Sequence, residues 1–345
     1  MIRTNTAAAL YGIRQFRLEE RPVPAPAIGE VLVAVKSVGV CGSDVHYWDR
    51  GRIGHWVPDW PFVVGHECAG IVEELGPDVT TLKVGDRVAL EPGIPCRRCL
   101  LCKSGRYNLC PDLRFWAAPP IDGALARYVT HAADFCYRLP DHVSLDEGAI
   151  IEPLSVGLHA CRLGRVSPGS RVLVTGVGPI GLVTVLAAKV AGASLVVVAD
   201  PREDRLAVAK RLGADTALSA DRFNLADEVR RQADGGVDIS IECSGAPTAL
   251  SIALESTRAG GVVVLVGQGP DEVPFPIINL ISREIEVRGS FRYVNTYPTA
   301  VKLLASGGID VKPLITHRFP LQDVGTAFEV AHSSQDAIKV IVTLD

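Results

Sequence analysis

A glycine-rich turn between a strand and a helix constrains this fold most. The segment RVLVTGVGPIG starts as an apolar β-like run, passes through Gly176, Gly178 and Gly181, and continues into a helix-like apolar stretch. Glycines at this spacing allow a tight turn and let backbone N–H groups approach an anion at the start of the helix. Strand and helix patterns keep alternating to about residue 287. This alternation predicts an α/β domain with a doubly wound parallel sheet.

The first 150 residues follow a different pattern. Short β-like runs such as EVLVAVKSVGV and DRVALEPG alternate with Gly, Pro and Asp. This pattern predicts an antiparallel, barrel-like β domain, and a chain of 345 residues is long enough for two domains. The tail from about residue 290 reads as a helix, an irregular segment and a closing strand, KVIVTLD. The tail either extends the parallel sheet or returns to the first domain.

Composition narrows the classes of partner. The formal net charge is −4, 21% of the residues are charged and 48% are hydrophobic, which is typical of a globular protein and argues against a nucleic acid partner. The N-terminus lacks the apolar core of a signal peptide, and the most apolar stretch, Val172 to Asp200, is interrupted by glycines, a proline and Lys189. We therefore expect a cytoplasmic protein without a membrane partner.

Four of the nine cysteines lie in one short segment, PCRRCLLCKSGRYNLCP, residues 95–111. Their spacing lets the thiolates of Cys96, Cys99, Cys102 and Cys110 converge on one tetrahedral zinc ion. The alternatives are an iron–sulfur cluster or buried free cysteines. A site closed by four thiolates has no position for a substrate, so we expect this segment to stabilise the structure.

Three other segments, VCGSDVHYW, GHECAG and IIEPLSVGLHA, supply mixed metal ligands. The thiolate of Cys41, the imidazole of His66 and one or both carboxylates of Glu67 and Glu152 would bind zinc and leave a position for water or substrate, as Lewis acid catalysis requires. Cys41 and His66 could each be an ordinary buried residue. The two carboxylates favour the metal site, because a carboxylate in apolar surroundings is costly unless a cation compensates it.

Two neighbours of Cys41 are candidates for proton transfer. Ser43 and His46 could pass a proton from the metal site to solvent, or they could simply form hydrogen bonds within a turn. His159 follows Glu152 by seven residues, and we interpret it as structural.

An acidic residue closes the strand after the glycine-rich turn. Asp200 lies nineteen residues after Gly181, where a carboxylate can accept hydrogen bonds from both adenosine ribose hydroxyls and repel a 2′-phosphate. NAD is therefore favoured over NADP, although Arg202 and Arg205 follow closely and weaken that preference. The alternative is a glycine turn that binds no nucleotide.

The whole set of motifs resembles the zinc-dependent medium-chain dehydrogenases, and within them the polyol dehydrogenases that act on sorbitol or xylitol. GHECAG, the four-cysteine segment, EPLSVGLHA and GVGPIG carry the broad resemblance, and CGSDVHYW, FWAAPP and GSFRYVNTYP carry the polyol resemblance. Two features depart from the pattern. Some animal sorbitol dehydrogenases lack the four-cysteine lobe that this chain keeps, and Ala118 stands where relatives can carry a hydroxyl-bearing residue.

The resemblance implies a domain plan. Residues 1–153 would form a GroES-like catalytic β-barrel domain with the structural zinc lobe at 95–111, and residues 154–287 a Rossmann NAD-binding domain. Residues 288–345 would return to the catalytic domain. Relatives are commonly dimers or tetramers, so we expect a homo-oligomer.

The resemblance also implies roles for residues. Cys41, His66 and Glu67 would be ligands of the catalytic zinc, and Glu152 would either bind that zinc or hold its water as a base. The predicted cofactor contacts are Gly176, Gly178, Ile180, Gly181, Asp200, Arg205, Val266, Gly267, Gln268, Phe291 and Arg292. The predicted substrate contacts are Tyr47, Phe115, Glu152, Arg292 and Tyr293, whose polar groups suit a hydroxylated chain.

The implied activity is oxidation of a secondary hydroxyl of a polyol, of the sorbitol, xylitol, L-arabinitol or galactitol type, to a ketose with hydride transfer to NAD. Two zinc ions per chain are implied, one catalytic and one structural. Three alternatives remain: a zinc alcohol or threonine dehydrogenase on the same scaffold, a metal-free quinone or enoyl reductase, and a catalytically silent nucleotide-binding protein.

Overall fold

A computed structural model of the chain describes residues 4–221 and 224–345. The described chain divides into two compact units. The first contains the chain up to Glu152 together with Tyr297–Asp345, and the second is Pro153–Thr296.

The first unit is built mainly from strands. Its strands are β1 (Thr4–Leu10), β2 (Phe16–Pro22), β3 (Glu30–Gly39), β4 (Phe62–Val63), β5 (Glu67–Leu75), β6 (Arg87–Leu90), β7 (Gly93–Ile94), β8 (Arg114–Phe115), β9 (Tyr128–Ala132), β10 (Cys136–Arg138), β17 (Ile315–Pro320) and β18 (Lys339–Thr343). Its helices are α1 (Gly42–Arg50), α2 (Leu100–Lys103), the start of α3 (Leu145–Gly164), α9 (Tyr297–Ala305) and α10 (Val324–Ser333).

The main sheet of this unit has the strand order β10-β6-β5-β3-β18-β17, and β9 also pairs with β3. Neighbouring strands are antiparallel except for β17 and β18, which are parallel. Register places Gly39, at the end of β3, opposite Glu67 of β5 and Ile341 of β18. This pairing brings three segments that are distant in sequence to one end of the sheet. The antiparallel β domain predicted from the sequence is confirmed.

The second unit alternates strands and helices. Its strands are β11 (Arg171–Thr175), β12 (Leu195–Asp200), β13 (Thr216–Ser219), β14 (Val237–Glu242), β15 (Thr257–Leu265) and β16 (Glu286–Gly289). Its helices are the rest of α3, α4 (Pro179–Val190), α5 (Glu203–Arg211), α6 (Leu225–Gln232), α7 (Pro247–Ser256) and α8 (Ile277–Ser282).

All pairs in the second sheet are parallel, in the order β13-β12-β11-β14-β15-β16. The order reverses between β11 and β14, which is where open parallel sheets bind ligands, at the carboxyl ends of the strands. The runs VLV of β11 and VVV of β12 are fully buried, as strands covered on both faces require. The predicted parallel sheet is confirmed.

The second unit ends later than predicted. The sequence prediction ended it at residue 287, whereas residues 288–296 belong to it in the structure. The Ser290 N–H donates to the Leu265 carbonyl, and the Arg162 guanidinium donates to the Val294 carbonyl. These bonds hold the segment to strand β15 and helix α3. Within the ranges that the structure describes, no helix is long and apolar enough to cross a membrane.

Candidate metal centre and nucleotide site

One group of metal-ligating side chains lies at the end of the first unit's sheet. Ligand atoms of Cys41, His66 and Glu67 all lie within 4.8 Å of one another, and His66 and Glu67 are buried. A thiolate, an imidazole and a carboxylate so arranged are a donor set that zinc accepts while keeping a further position open. The chemistry of these residues therefore fits a catalytic zinc ion.

Local structure explains how Cys41 reaches this position. Cys41 is the N-cap of α1, and the Asp44 carboxylate accepts a hydrogen bond from the Cys41 N–H at 3.1 Å through Oδ2. Its other oxygen accepts from the Gly65 N–H at 3.0 Å, next to His66. Asp44 is only 1% exposed, so a single buried carboxylate joins two ligand-bearing segments. Sequence reasoning missed Asp44, although an acidic residue three positions after an N-cap is a capping-box signal.

The electrostatic environment of His66 attracts cations. Its Nδ1 lies 3.5 Å from Asp44 Oδ1. Burial alone lowers the pKa of His66, but the negative charges of Asp44 and the Cys41 thiolate outweigh it, so that the pKa lies well above the ordinary value. A site that favours a proton on an imidazole beside a thiolate is also a site that favours a metal cation.

Glu67 has a partner that sequence reasoning missed. The Lys339 ammonium lies 2.7 Å from each carboxylate oxygen of Glu67 and donates to the Val40 carbonyl at 3.1 Å. Lys339 and Glu67 are 3% and 0% exposed. Burial lowers the pKa of Lys339, but Glu67, Cys41 and Glu152 together raise it by more, so the pKa lies above the ordinary value. Gly39 makes the space, because a Cβ there would overlap Glu67 Oε2.

The other predicted residues of this unit lie on α1, α3 and β8. Glu152 is buried in α3 and lies outside the cluster of ligand atoms, so Glu67 supplies the carboxylate of that cluster. Ser43 and His46 are half-buried on α1. The Tyr47 ring packs edge-on against Phe62 at 5.6 Å, and Phe115 lies 5.6 Å from the His66 ring. His159 lies in the second unit, where it accepts a hydrogen bond from Arg162 at 2.8 Å.

The four-cysteine segment forms a second group of ligand atoms, made of Cys96, Cys99, Cys102 and Cys110 within 4.8 Å of one another. Cys99 Sγ lies 3.4 Å from Cys102 Sγ, and Cys96 Sγ lies 4.0 Å from Cys102 Sγ. The Cys99 side chain caps the short helix α2, and the Cys96 N–H donates to Cys110 Sγ at 3.4 Å. Four converging sulfurs fit a closed tetrahedral zinc site.

A buried carboxyl group connects the cysteine segment to the main sheet. Glu91 accepts hydrogen bonds from the hydroxyls of Tyr107, inside the segment, and Tyr137, on β10, at 2.7 and 2.9 Å. Burial raises the pKa of Glu91 to about 7, because the two hydroxyls only partly compensate the lost hydration. The neighbouring His131 is fully buried, and burial lowers its pKa to about 4.

The glycine-rich turn lies at the strand-order reversal of the second unit. Gly176 has φ of +79°, and a Cβ there would come within 2.6 Å of the Ser244 Cβ, beyond the end of β14. A Cβ on Gly181 would overlap the Gly176 carbonyl. At Gly178, the N-cap of α4, a Cβ would meet nothing within 4 Å. This free space above a helix N-terminus fits a pyrophosphate.

Asp200 is fixed beside this turn. Its carboxylate accepts hydrogen bonds from the Val177 N–H at 2.8 Å and the Arg202 N–H at 2.9 Å. Arg202 pairs with Asp204 at 2.6 Å, so the cation that follows Asp200 is already neutralised. Arg205 is 9% exposed, and burial followed by the charge of Arg202 lowers its pKa.

The remaining predicted cofactor residues also follow strand ends. The Val266 and Gly267 N–H groups donate to the Glu242 carbonyl at 2.8 and 2.9 Å, which places the Val266–Gln268 segment beside the end of β14. After β16, Arg292 has φ of +53° and its guanidinium lies 4.8 Å from the Phe291 ring. Tyr293 is 3% exposed. Ile180 lies in the first turn of α4.

Comparison with known proteins places this arrangement in a family. Residues 179–306 match the family model described as zinc-binding dehydrogenase, and residues 27–141 match the alcohol dehydrogenase GroES-like domain. The chain is 48% identical to a sorbitol dehydrogenase from Gallus gallus, over 99% of this chain and 97% of that protein. The chain belongs to the zinc-binding dehydrogenases. The predicted resemblance, the GroES-like and Rossmann-type fold class and an oxidoreductase activity are thereby confirmed.

Two further relatives carry another name. An L-idonate 5-dehydrogenase from Vitis vinifera is 48% identical, over 99% of this chain and 95% of that protein. The solved structure of an L-idonate 5-dehydrogenase from Escherichia coli superimposes with a TM-score of 0.93 at 34% identity, over 99% of both chains. All three relatives match nearly the full length of this zinc-binding dehydrogenase.

Proposed function

We propose that this chain is a zinc polyol dehydrogenase that oxidises a secondary hydroxyl of a polyol to a ketose and reduces NAD. The observation that carries the proposal is the cluster of Cys41, His66 and Glu67 in a chain 48% identical to a sorbitol dehydrogenase over nearly its full length. A catalytically silent nucleotide-binding protein would have no need of an intact set of metal ligands. A metal-free reductase would not need it either.

The proposal includes two zinc ions per chain. Cys41, His66 and Glu67 would hold the first, and the four cysteines of segment 95–111 would hold the second. When bound, the first zinc supplies Lewis acidity that lowers the pKa of a substrate hydroxyl, and NAD supplies the hydride acceptor. The second site is closed by four thiolates and stabilises the lobe.

Side chains of the first unit would move the proton that the hydroxyl loses. Glu152 is a buried carboxylate and serves as the base in this proposal. His46 offers a second route together with Ser43. Burial and then the charge of Arg50 lower the pKa of His46, so its ring is neutral at pH 7 and able to accept a proton.

The second unit would bind NAD along the carboxyl edge of its sheet. The free space at Gly178 would take the pyrophosphate, and Asp200 would accept hydrogen bonds from the adenosine ribose. The negative charge of Asp200 disfavours a 2′-phosphate, and the Arg202–Asp204 pair leaves Arg202 no longer free to attract one. NAD is therefore the proposed cofactor in preference to NADP.

Substrate contacts are proposed from Tyr47, Phe115, Arg292 and Tyr293. Phe115 lies beside the His66 ring, so an apolar surface adjoins the metal ligands. A second candidate substrate is a sugar acid, because two relatives are L-idonate 5-dehydrogenases and Arg292 offers a cation for a carboxylate. Both candidates carry the secondary hydroxyl that the proposed chemistry needs.

A homo-oligomer, dimer or tetramer, and a cytoplasmic location complete the proposal. Helix α8 and the segment before it expose apolar side chains, among them Ile277 at 59%, Ile278 at 78% and Ile281 at 62%. Adjacent exposed isoleucines support burial against another chain.

The test is a zinc analysis of the purified protein together with an assay of NADH formation on sorbitol, xylitol, L-arabinitol, galactitol, L-idonate, threonine and simple alcohols. We expect two zinc ions per chain and turnover on a polyol. Cys41→Ala should lose one zinc and all activity, whereas Cys161→Ala, at a buried cysteine of the second unit, should keep both. Turnover on simple alcohols or threonine alone contradicts the polyol assignment, and wild-type turnover in Cys41→Ala contradicts the metal site.

A further inference from the structure

The buried Lys339–Glu67 pair is a feature of the metal centre that the proposed reaction does not use. The Lys339 ammonium contacts both oxygens of Glu67 and the Val40 carbonyl, so its N–H donors are directed at one metal ligand and at the residue before another, Cys41. Lys339 begins β18, and β18 and β5 both pair with the end of β3, which brings together two residues 272 positions apart in the sequence. The contact is not an ordinary surface salt bridge, because Lys339 and Glu67 are both buried.

We propose that Lys339 is a positioning residue that substitutes electrostatically for zinc at Glu67 and competes with zinc for the charge of that carboxylate. The inference rests on the proposed function, since it takes Cys41, His66 and Glu67 as the ligands of the open zinc site. Lys339 holds the Glu67 carboxylate in the ligand position when zinc is absent. When zinc is present, Lys339 weakens the donation of charge from Glu67 to the metal.

The zinc-free state supplies the first half of the argument. A buried carboxylate without a cation is strongly destabilising, because the lost hydration is not replaced. Glu67 has no exposed surface, and its ligand oxygen lies within 4.8 Å of the Cys41 sulfur. Lys339 is the buried cation that compensates it, so the empty site stays folded with the ligands in place.

The zinc-loaded state supplies the second half. A zinc ion bound by Glu67 and the Lys339 ammonium are two cations that share one carboxylate, and they repel each other in a medium of low dielectric constant. Lys339 therefore stabilises the zinc-loaded protein less than it stabilises the zinc-free protein. By thermodynamic reciprocity, removing Lys339 must destabilise the zinc-free protein more than the zinc-loaded protein.

The experiment measures thermal unfolding of wild type and Lys339→Met, each with the open site loaded and after chelation, with zinc content determined for every sample. Loss of one partner of a buried ion pair predicts that zinc-free Lys339→Met melts about 10 °C below zinc-free wild type. The loaded variant should fall by less than half of that amount. Any change at the four-cysteine site affects both proteins alike and cancels in the comparison.

Lys312→Met is the matched control. Lys312 is an exposed lysine of the same unit, 3.9 Å from Glu147, and its removal should leave the zinc-induced shift at the wild-type value. If Lys339→Met does not fold, Lys339→Gln takes its place, because the amide still donates a hydrogen bond to Glu67 without the charge. The same sign is expected, with a smaller difference.

Equal losses in the two states overturn the inference, because an ordinary structural lysine would produce them. A larger loss in the loaded state also overturns it, because Lys339 would then assist zinc binding. Failure of the proposed function gives a different result. In that case chelation of wild type removes no zinc from the open site, and Cys41→Ala retains the wild-type zinc content.

Discussion

Replacing Glu91 by Gln should change how the stability of this protein depends on pH. Glu91 is 1% exposed and accepts hydrogen bonds from Tyr107 in the cysteine lobe and Tyr137 on β10. Burial raises its pKa from 4.5 to about 7. The folded protein therefore holds a proton on Glu91 between these pH values, where the unfolded chain has already released it.

The difference between the folded and unfolded pKa of Glu91 sets the sign and size of the pH effect on the free energy of unfolding. Where the folded state binds more protons than the unfolded state, the free energy of unfolding decreases as pH rises. A pKa moved from 4.5 to about 7 corresponds to about 3 kcal/mol, present at pH 4.5 and lost by pH 8. A glutamine cannot ionise and keeps an amide near the two hydroxyls. The pH-dependent loss should therefore be smaller by about 3 kcal/mol in Glu91→Gln.

Urea unfolding of both proteins at several pH values between 5 and 8 measures this difference. His131, whose pKa burial lowers to about 4, opposes the trend by losing stability as pH falls through 6.5, but it is present in both proteins and cancels. Glu329→Gln, at an exposed carboxylate of the same unit, is the control and should keep the wild-type slope. Identical slopes in wild type and Glu91→Gln would refute the reasoning.

Four further substitutions separate structural roles from binding roles. Gly178→Ala should melt like wild type but bind NADH at least about tenfold more weakly, because its methyl group enters only the proposed pyrophosphate space. Calorimetric titration measures the affinity, and an unchanged affinity would argue against pyrophosphate binding in that space. Gly181→Ala should instead lose thermal stability, because its Cβ overlaps the Gly176 carbonyl, and a normal melting temperature would contradict this. Asp200→Ala should lower kcat/KM for NAD about 30-fold, equivalent to about 2 kcal/mol, and raise the NADP to NAD ratio; an unchanged ratio contradicts the proposed ribose contact. Cys99→Ser should lose the lobe zinc and several degrees of melting temperature while some turnover remains, and a variant that melts normally without turnover would contradict a structural role.

The sequence predicted the features whose physical cause is local. Cys96, Cys99 and Cys102 lie close enough in the chain to converge without help from other elements, and the structure brings them together with Cys110. The second unit was predicted from its alternating pattern, yet its end at Thr296 was not. That end depends on hydrogen bonds from Ser290 and Arg162, which the pattern of hydrophobic residues does not predict.

The open metal site was predicted only in part. Cys41, His66 and Glu67 were predicted as ligands by resemblance, and Glu152 was left either as a further ligand or as the base that holds the zinc-bound water. Only Glu67 lies in the cluster of ligand atoms. The choice depends on strand register, because Glu67 stands opposite Gly39, where a missing side chain makes room for a carboxylate.

By itself, the sequence determined most of the elements, the glycine turn and the residue types of the candidate ligands, because these depend on neighbours within a few residues. The tertiary structure alone decided which groups compensate the buried charges. Asp44 joins Cys41 to the His66 segment, and Lys339 reaches Glu67 from the far end of the chain. The physical reason is that a buried charge needs a partner within a few ångströms in space, whatever its distance in sequence.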